Sequence, residues 1–143
     1  MNTKEPVMIF QVALNPADIT EMRGPYGAVS MLPFTAKVES ELFTGRTRPG
    51  AVDVQQENAA GIRNMCAKYM FEGVDKEGNA CHLFVENNAW FNPAENPGSV
   101  LPAYPRFITD SPVLREYLSQ ARFRAEVRPA SGGVEIWVFD VCG

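Results

Sequence analysis

The chain has 143 residues and a formal net charge of −4 at pH 7, with 45% hydrophobic and 21% charged residues. This length fits one domain with its own core, and the composition excludes intrinsic disorder. The acidic balance gives no general attraction to phosphate backbones or anionic lipids, so neither nucleic acid nor a membrane is expected as a partner.

The N-terminal segment points to a cytoplasmic protein. Its apolar stretch, Val7 to Phe10, is too short for a signal peptide or a membrane span, and residues 1–5 are expected to be a disordered tail. The three cysteines, Cys66, Cys81 and Cys142, are odd in number and show no C-x-x-C spacing. We therefore expect reduced thiols packed in the core, without a disulfide framework or a zinc site.

Runs of aliphatic, aromatic and β-branched residues alternate with proline- and glycine-rich turns along the whole chain. Nine runs predict strands, at 7–14, 26–39, 41–47, 51–55, 65–74, 80–90, 106–109, 121–128 and 134–141. Regularly spaced short strands are typical of a barrel or a sandwich. The sequence predicts a mainly β fold over residues 1–143: a single antiparallel β-barrel of about eight to ten strands, lipocalin-like in appearance, with one short helix.

The helix is expected after the seventh run. Ser111 can cap it, Pro112 suits the first helical position, and the segment from Val113 to Leu118 supplies an apolar stripe. Such a helix would plug one end of the barrel. The proline-rich segment 91–105 before it is expected to be a long connection, either an ordinary crossover loop or a lid.

The turn at Asp75 to Gly78 fixes the register of the most informative hairpin. Asp at the first turn position and Gly at the left-handed position predict a three-residue loop that pairs Asp75 with Asn79. Counting outward, Lys68 faces Glu86 and Glu72 faces His82. The other face is apolar, with Ala67, Tyr69 and Phe71 beside Val85, Leu83 and Cys81.

The sequence leaves the direction of the mixed face open. That face carries Cys66, Lys68, Met70, Glu72, His82, Phe84, Glu86 and Asn88. Pointing outward, it is a solvated sheet surface with weak ion pairs. Pointing inward, it would line an amphipathic cavity for a small ligand.

Motifs for phosphate, dinucleotide or esterase chemistry are absent from the sequence. The single histidine, His82, is separated from Glu86 by roughly 13 Å along the strand, too far to share a metal ion. We therefore expect no metal and no other cofactor. The pair of His82 with Glu72 is more typical of a hydrogen-bonded surface pair than of a catalytic one.

Asp53 is the candidate catalytic residue because it is a lone carboxylate between Val52 and Val54. Burial would raise its pKa and suit it to act as a general base, whereas the alternative is a carboxylate that accepts backbone N–H bonds or faces water. Candidate ligand-binding residues are Tyr69, Glu86, Asn88, Tyr104 and Arg106. The Arg106 guanidinium could orient an anionic or carbonyl-bearing ligand, or it could satisfy loop carbonyls.

An ordered set of short motifs resembles the bacterial domain-of-unknown-function family 3237. They are Gly45-x-x-x-Pro49-Gly50-x-x-Asp53, Lys68-Tyr69 before the Glu77-Gly78 turn, Pro105-Arg106-Phe107-x-Thr109-Asp110-Ser111-Pro112, and Phe123 before a closing strand. The resemblance spans about residues 7 to 141. It implies a compact β-barrel of lipocalin-like appearance, in which Asp53 and the Arg106-Phe107 pair match family positions and Lys68 replaces an arginine.

Two hypotheses of function follow. In the first, the barrel binds a small hydrophobic molecule in its interior, with scope for cofactor-independent acid–base chemistry of an isomerase or cyclase type. In the second, the barrel is packed and non-catalytic, and its exposed strands form a homo-oligomeric scaffold or protein-interaction module. Whether the protein is an enzyme stays open at this point.

Overall fold

The computed structural model describes residues 5–95 and 100–142; of the expected N-terminal tail, residues 1–4 lie outside this part. Ten strands form in the described residues. They are β1 (Met8–Leu14), β2 (Thr20–Gly24), β3 (Gly27–Glu39), β4 (Phe43–Thr47), β5 (Val52–Asn58), β6 (Arg63–Asp75), β7 (Ala80–Phe91), β8 (Leu101–Thr109), β9 (Phe123–Ala130) and β10 (Gly133–Asp140). A 3-10 turn spans Pro16–Asp18, and one short helix, α1, spans Arg115–Leu118. That helix is too short and too polar to cross a membrane.

The strands close into an antiparallel barrel with eight strand positions. The ladder runs β1-β10-β9-β8-β7-β6, and β3 returns to pair with β1. Both β4 and β5 pair with β3 on one side and β6 on the other, so together they occupy one strand position. Similarly, β2 pairs with the first part of β3 and β1 with the second part. The predicted fold class, a single antiparallel barrel of about eight to ten strands with one short helix, is confirmed.

The shared position of β4 and β5 is possible because the chain bends sharply between them. Gly50, in the Pro49-Gly50 turn, has a φ of +106°, which favours glycine. On the β4 side, Gly73 of β6 approaches so closely that a Cβ there would lie 1.9 Å from the carbonyl oxygen of Thr44. At this point β4 and β6 approach so closely that only glycine fits.

Aromatic and aliphatic side chains fill the interior at the end of the barrel that α1 covers. Phe10, Phe71 and Leu83 are fully buried on three different strands, and Leu118 of α1 packs against the same core. The helix expected at this end is confirmed in position but is only one turn long, and residues 112–114 before it form turns. The Leu114 N–H donates to Ser111 Oγ there.

The hairpin of β6 and β7 has the predicted register. Asp75 N–H donates to the Asn79 carbonyl, Lys68 is opposite Glu86, and Glu72 is opposite His82. The apolar face points into the barrel and the mixed face points outward, which settles the direction that the sequence left open. The mixed face is therefore a solvated sheet surface and does not line a cavity inside the barrel.

Three expectations from the sequence are wrong. No strand was predicted over residues 20–24, because all residues of β2 are exposed and no apolar run marks them. Strand β8 begins at Leu101 rather than at residue 106, because its prolines, Pro102 and Pro105, stand where β8 has a strand partner on only one edge. Of the cysteines, Cys81 is buried, but Cys66 is half-buried on the outer face and Cys142 is exposed.

Candidate functional site at the mouth of the barrel

Polar side chains replace apolar ones on the inner wall toward the end of the barrel opposite α1. Across the sheet, Asp53 of β5 and Asn87 of β7 are the register partners of Ala67 on β6, one from each side. Tyr69 lies two residues further along β6 and faces inward as well. Three neighbouring strands thus bring Asp53, Asn87 and Tyr69 to one stretch of the inner wall.

Asp53 is half-buried and has a defined hydrogen-bond donor. The Gln55 side-chain amide donates to Asp53 Oδ2 at 2.8 Å. Burial raises the pKa of the Asp53 carboxyl, and this effect outweighs the hydrogen bond from Gln55 and the charge of Arg63, which both lower it. The carboxylate is therefore a stronger base than an exposed aspartate.

A chain of side chains, here called the mouth network, connects Asp53 with solvent. Arg23 Nη1 donates to Glu57 Oε2 at 3.2 Å, and Arg63 Nη2 donates to Glu57 Oε1 at 2.9 Å. Arg63 Nη1 also donates to Gln55 Oε1 at 3.4 Å. Because Arg63 can only donate, it orients the Gln55 amide so that its NH₂ group faces Asp53.

Tyr69 lies below this network in an aromatic environment. Its ring makes edge contacts with Phe34 and Phe10, at centroid distances of 5.0 and 6.1 Å. The residue is only 2% exposed, and its hydroxyl has no hydrogen-bond partner among the described residues. Burial raises the pKa of Tyr69 strongly, and the charge of Asp53 adds to the rise, so the hydroxyl remains protonated.

Asn87 is the second buried group without a partner. It is 6% exposed, and its Oδ1 atom accepts no hydrogen bond from the described residues. Each unsatisfied buried polar atom costs about 1–3 kcal/mol of folding free energy. Two such atoms on one stretch of wall are unusual in a packed interior, which makes this wall the candidate site.

A cavity of about 170 Å³ opens beside the Gln55 side chain that donates to Asp53, although Asp53 itself does not line it. Leu32, the register partner of Asp53, belongs to its wall, together with Ala28, Ser30, Gln55 and Arg63. A larger cleft of about 520 Å³ lies beneath the turn between β2 and β3, and Arg23 and Glu57 line both spaces. The Arg23–Glu57 ion pair thus stands between the cavity and the cleft.

The structure brings together two of the six site residues expected from the sequence. Asp53 and Tyr69 share the inner wall, whereas the other four lie on the outer surface: Glu86, Asn88, Tyr104 and Arg106. Side chains alternate along a strand, so the inward direction of Val85 and Phe107 turns these four outward. Asn88 donates to Glu86 at 3.1 Å, and Arg106 is opposite Glu86 in the sheet.

Sequence reasoning missed the polar residues Gln55, Glu57, Arg63 and Asn87. For Asn87 a signal existed, because the predicted hairpin register puts it on the apolar face with Val85. The alternation of Asp53, Gln55 and Glu57 along β5 was also visible, but a polar face at every second residue normally indicates the solvent side of a strand.

His82 has a different partner from the one proposed. Its Nδ1 atom lies 2.8 Å from Asp110 Oδ2, and its backbone N–H donates to Asp110 Oδ1. Both side chains are about half exposed, so the pair is a surface feature. Within residues 5–95 and 100–142, no cluster of three or more histidine, cysteine or acidic side chains is arranged to hold a metal ion.

Comparison with known proteins gives the fold. No family model and no curated protein matches the chain. A crystal structure of a protein of unknown function from Clostridium acetobutylicum matches with a TM-score of 0.72 at 18% identity, covering 94% of this chain and 93% of that one.

Two further crystal structures are similar over the same share of the chain. A conserved protein of unknown function from Rhodopseudomonas palustris has a TM-score of 0.72 at 23% identity, with 94% of this chain and 93% of that chain covered. A β-barrel-like protein from Acinetobacter baumannii has a TM-score of 0.68 at 14% identity, with 94% and 92% covered. At these identities the similarity concerns the barrel alone.

Proposed function

We propose that this protein binds a small, largely apolar molecule at the mouth of its barrel, where Asp53 is available for acid–base chemistry that needs no cofactor. The observation that carries the proposal is the buried Tyr69 hydroxyl, which has no partner on the wall that also holds Asp53 and Asn87. Binding sites commonly combine apolar walls with a few convergent polar groups of this kind.

The cavity limits the size of the molecule. A cavity of about 150 Å³ in another protein is known to bind benzene, and the cavity beside Gln55 measures about 170 Å³. A compound with one ring therefore fits without movement of the strands. A larger ligand would have to separate Arg23 from Glu57 and extend into the neighbouring cleft.

A thermal-shift experiment tests binding. One-ring aldehydes, ketones, phenols and carboxylic acids are screened against the wild-type protein at fixed protein concentration. A ligand present at about 100 times its Kd should raise the Tm by roughly 5–10 °C, because it stabilises only the folded state. The shift should become much smaller in Asp53→Asn.

Glu116→Gln is the matched control, because it also converts a carboxylate to a carboxamide, at an exposed position on α1 at the opposite end of the barrel. It should keep the full shift. A panel that shifts no Tm, or that shifts both variants equally, would contradict the proposal.

A second candidate function is self-association through the outer surface of β6, β7 and β8. The mixed face of the hairpin points outward, and one row across it consists of Met70, Phe84 and Ile108, of which Ile108 is 71% exposed. The next row carries Lys68, Glu86 and Arg106. Apolar groups beside opposite charges suit a two-fold interface between copies of this chain.

The oligomeric state tests this candidate. Light scattering coupled to size-exclusion chromatography should show a dimer for the wild type and a monomer for Ile108→Glu, because a charge cannot be buried unpaired at the interface. Val141→Glu changes another exposed aliphatic residue and should leave the dimer intact. A wild-type protein that is monomeric at high concentration rules this candidate out.

We further propose that the chain belongs to family 3237, which its motifs resemble. What supports this assignment, besides the motifs, is that the chain forms a β-barrel of the kind the resemblance implies. The cytoplasmic location stays a prediction.

A further inference from the structure

Strand β2 has a free edge. It pairs with β3 on one side and, among the described residues, with no strand on the other. The position next to β1 on that other side belongs to β10, but β10 and its turn pair only as far as Leu14, whose N–H donates to the Gly132 carbonyl. Residues Thr20–Gly24 lie beyond this point, and all five are exposed.

The turn between β2 and β3 determines which main-chain groups point to the free edge. The loop has two residues, so the pair that flanks it, Gly24 with Gly27, exchanges both of its main-chain hydrogen bonds. Such hydrogen-bonded pairs recur at every second residue of an antiparallel ladder. Met22 therefore bonds to β3 as Gly24 does, whereas the N–H and C=O groups of Glu21 and Arg23 point to the free edge.

The usual devices against edge pairing are missing from this strand. Natural edge strands are commonly blocked by proline, by lysine or by a bulge. The β2 sequence, Thr-Glu-Met-Arg-Gly, has neither proline nor lysine, and its ladder with β3 runs without a bulge. Within the part of the chain that the structure describes, no turn or loop bond involves the main chain of Glu21 or Arg23. The edge is therefore open to another strand.

A second copy of β2 fits this edge in one register. Two identical antiparallel strands are related by a two-fold axis, so one residue lies opposite its own copy. All five residues of β2 pair only when Met22, the middle residue, lies on the axis. Glu21 is then opposite Arg23 of the second copy, and Arg23 is opposite its Glu21. A shift of one residue in either direction would place like charges opposite each other, which destabilises a cross-strand pair.

The main-chain pattern agrees with the charge pattern. In this register the two pairs of Glu21 with Arg23 are hydrogen-bonded pairs, because both residues present their N–H and C=O groups to the edge. Each pair forms two main-chain hydrogen bonds. The Met22 pair is of the non-hydrogen-bonded kind, in which the two Cα atoms lie about 4.5 Å apart. Met22 is 70% exposed in the single chain, so this contact also buries apolar surface.

The charged side chains have capacity for a further partner. The Arg23 side chain is 62% exposed, and its bond to Glu57 uses Nη1, at 3.2 Å. A guanidinium has five N–H donors, so Arg23 can hold Glu57 and a second carboxylate at once. Glu21 accepts from Ser30 Oγ through Oε2 at 2.9 Å, which leaves acceptor capacity on its carboxylate.

We infer that two copies of this chain pair through β2, with a two-fold axis at Met22, and join their β2–β3 hairpins into one continuous antiparallel sheet. This interaction goes beyond the proposed binding of a small molecule. It also uses a different surface from the outer face of β6, β7 and β8, the second candidate for self-association. The contact is small, so the dimer is expected to be weak, with a Kd in the micromolar range or above.

Sedimentation equilibrium at protein concentrations from about 1 µM to 1 mM tests the inference. The wild type should pass from monomer to dimer. Glu21→Arg and Arg23→Glu should each raise the Kd by about tenfold or more, because two cross-strand pairs change from attraction to repulsion. An equimolar mixture of the two variants should form a heterodimer with the affinity of the wild type, since every carboxylate again faces a guanidinium.

Matched controls make the same charge reversals elsewhere. Glu116→Arg and Arg115→Glu lie at exposed positions on α1, at the opposite end of the barrel, and should leave the Kd unchanged. Ile108→Glu should leave it unchanged as well. If Ile108→Glu is monomeric instead, the contact lies on β6, β7 and β8, and pairing through β2 is wrong.

Amide hydrogen exchange of the wild type, measured by NMR at low and high protein concentration, tests the pairing without any substitution. The Met22 amide bonds to β3 within one chain and should be protected at both concentrations. The Glu21 and Arg23 amides should become protected in proportion to the fraction of dimer.

Three results would overturn the inference: a wild type that stays monomeric over the whole series, a dimer that both charge reversals leave intact, or Glu21 and Arg23 amides that exchange equally fast in monomer and dimer. None of them bears on the binding of a small molecule, which the thermal-shift screen tests separately.

Discussion

Two tyrosines show how differently the same side chain is used in this barrel. The Tyr117 hydroxyl donates to Asp140 Oδ2 at 2.6 Å, whereas the Tyr69 hydroxyl has no partner. Burial alone would raise the pKa of Asp140, but the hydrogen bonds from Tyr117 and Arg122 outweigh it and hold that pKa well below its usual value. Tyr117 thus stabilises a buried charge, while Tyr69 keeps a donor available at a cost in stability.

Replacing each tyrosine by phenylalanine should therefore change stability in opposite directions. Tyr69→Phe removes an unsatisfied buried hydroxyl and should raise the free energy of unfolding by about 1 kcal/mol. Tyr117→Phe removes a hydrogen bond to a carboxylate and should lower it by about 2 kcal/mol. Urea denaturation at pH 7 measures both. A loss of stability in Tyr69→Phe would mean that its hydroxyl has a partner in solution and would weaken the case for the site.

At the level of single residues, the sequence predicted Asp53 and Tyr69 but not the residues that position them. Asp53 stood out as a carboxylate between valines, and burial does raise its pKa. Gln55 and Arg63 could not be found in the same way, because inward positions near a barrel mouth are partly wet and tolerate polar groups. Alternation alone then no longer separates the inside from the outside.

The pairing of the strands was predictable where a turn between them sets it. It was not predictable where it depends on strands that are distant in sequence. The turn from Asp75 to Gly78 was sufficient to give every pair of the β6–β7 hairpin, since register depends on turn type. Nothing local shows that β4 and β5 occupy one position between β3 and β6. That arrangement depends on the approach of β4 to β6, which is a property of the closed barrel.

A pair of glycine substitutions tests how tight this approach is. In Gly73→Ala the new Cβ would lie 1.9 Å from the Thr44 carbonyl oxygen and 2.6 Å from the Gly45 Cα atom, so the backbone of β4 must move. The free energy of unfolding should fall by about 2–3 kcal/mol. Gly24→Ala, with no heavy atom within 4 Å of its Cβ, should change it by less than about 1 kcal/mol. Equal effects in the two variants would show that β4 adjusts freely.

The closed barrel also explains why fold and function differ so much in predictability. The fold class follows from the apolar runs and from the proline- and glycine-rich turns between them. These signals are spread over the whole chain and do not depend on any single contact. The candidate site depends on three strands arriving in one register, with Ala67 between Asp53 and Asn87. Sequence patterns therefore predict the fold class well, but they predict the candidate site only after the positions of the strands are known.

Closure by β1 and β10 has a kinetic consequence. Their pairing joins Ala13 to Gly133, about 120 residues apart, whereas the β6–β7 hairpin closes across the short turn from Asp75 to Asn79. The chain entropy lost in closing the longer loop is greater by about 3 kcal/mol. The hairpin is therefore expected to form early and the β1–β10 seam late, so that the time needed to fold is set by the two strands farthest apart in sequence.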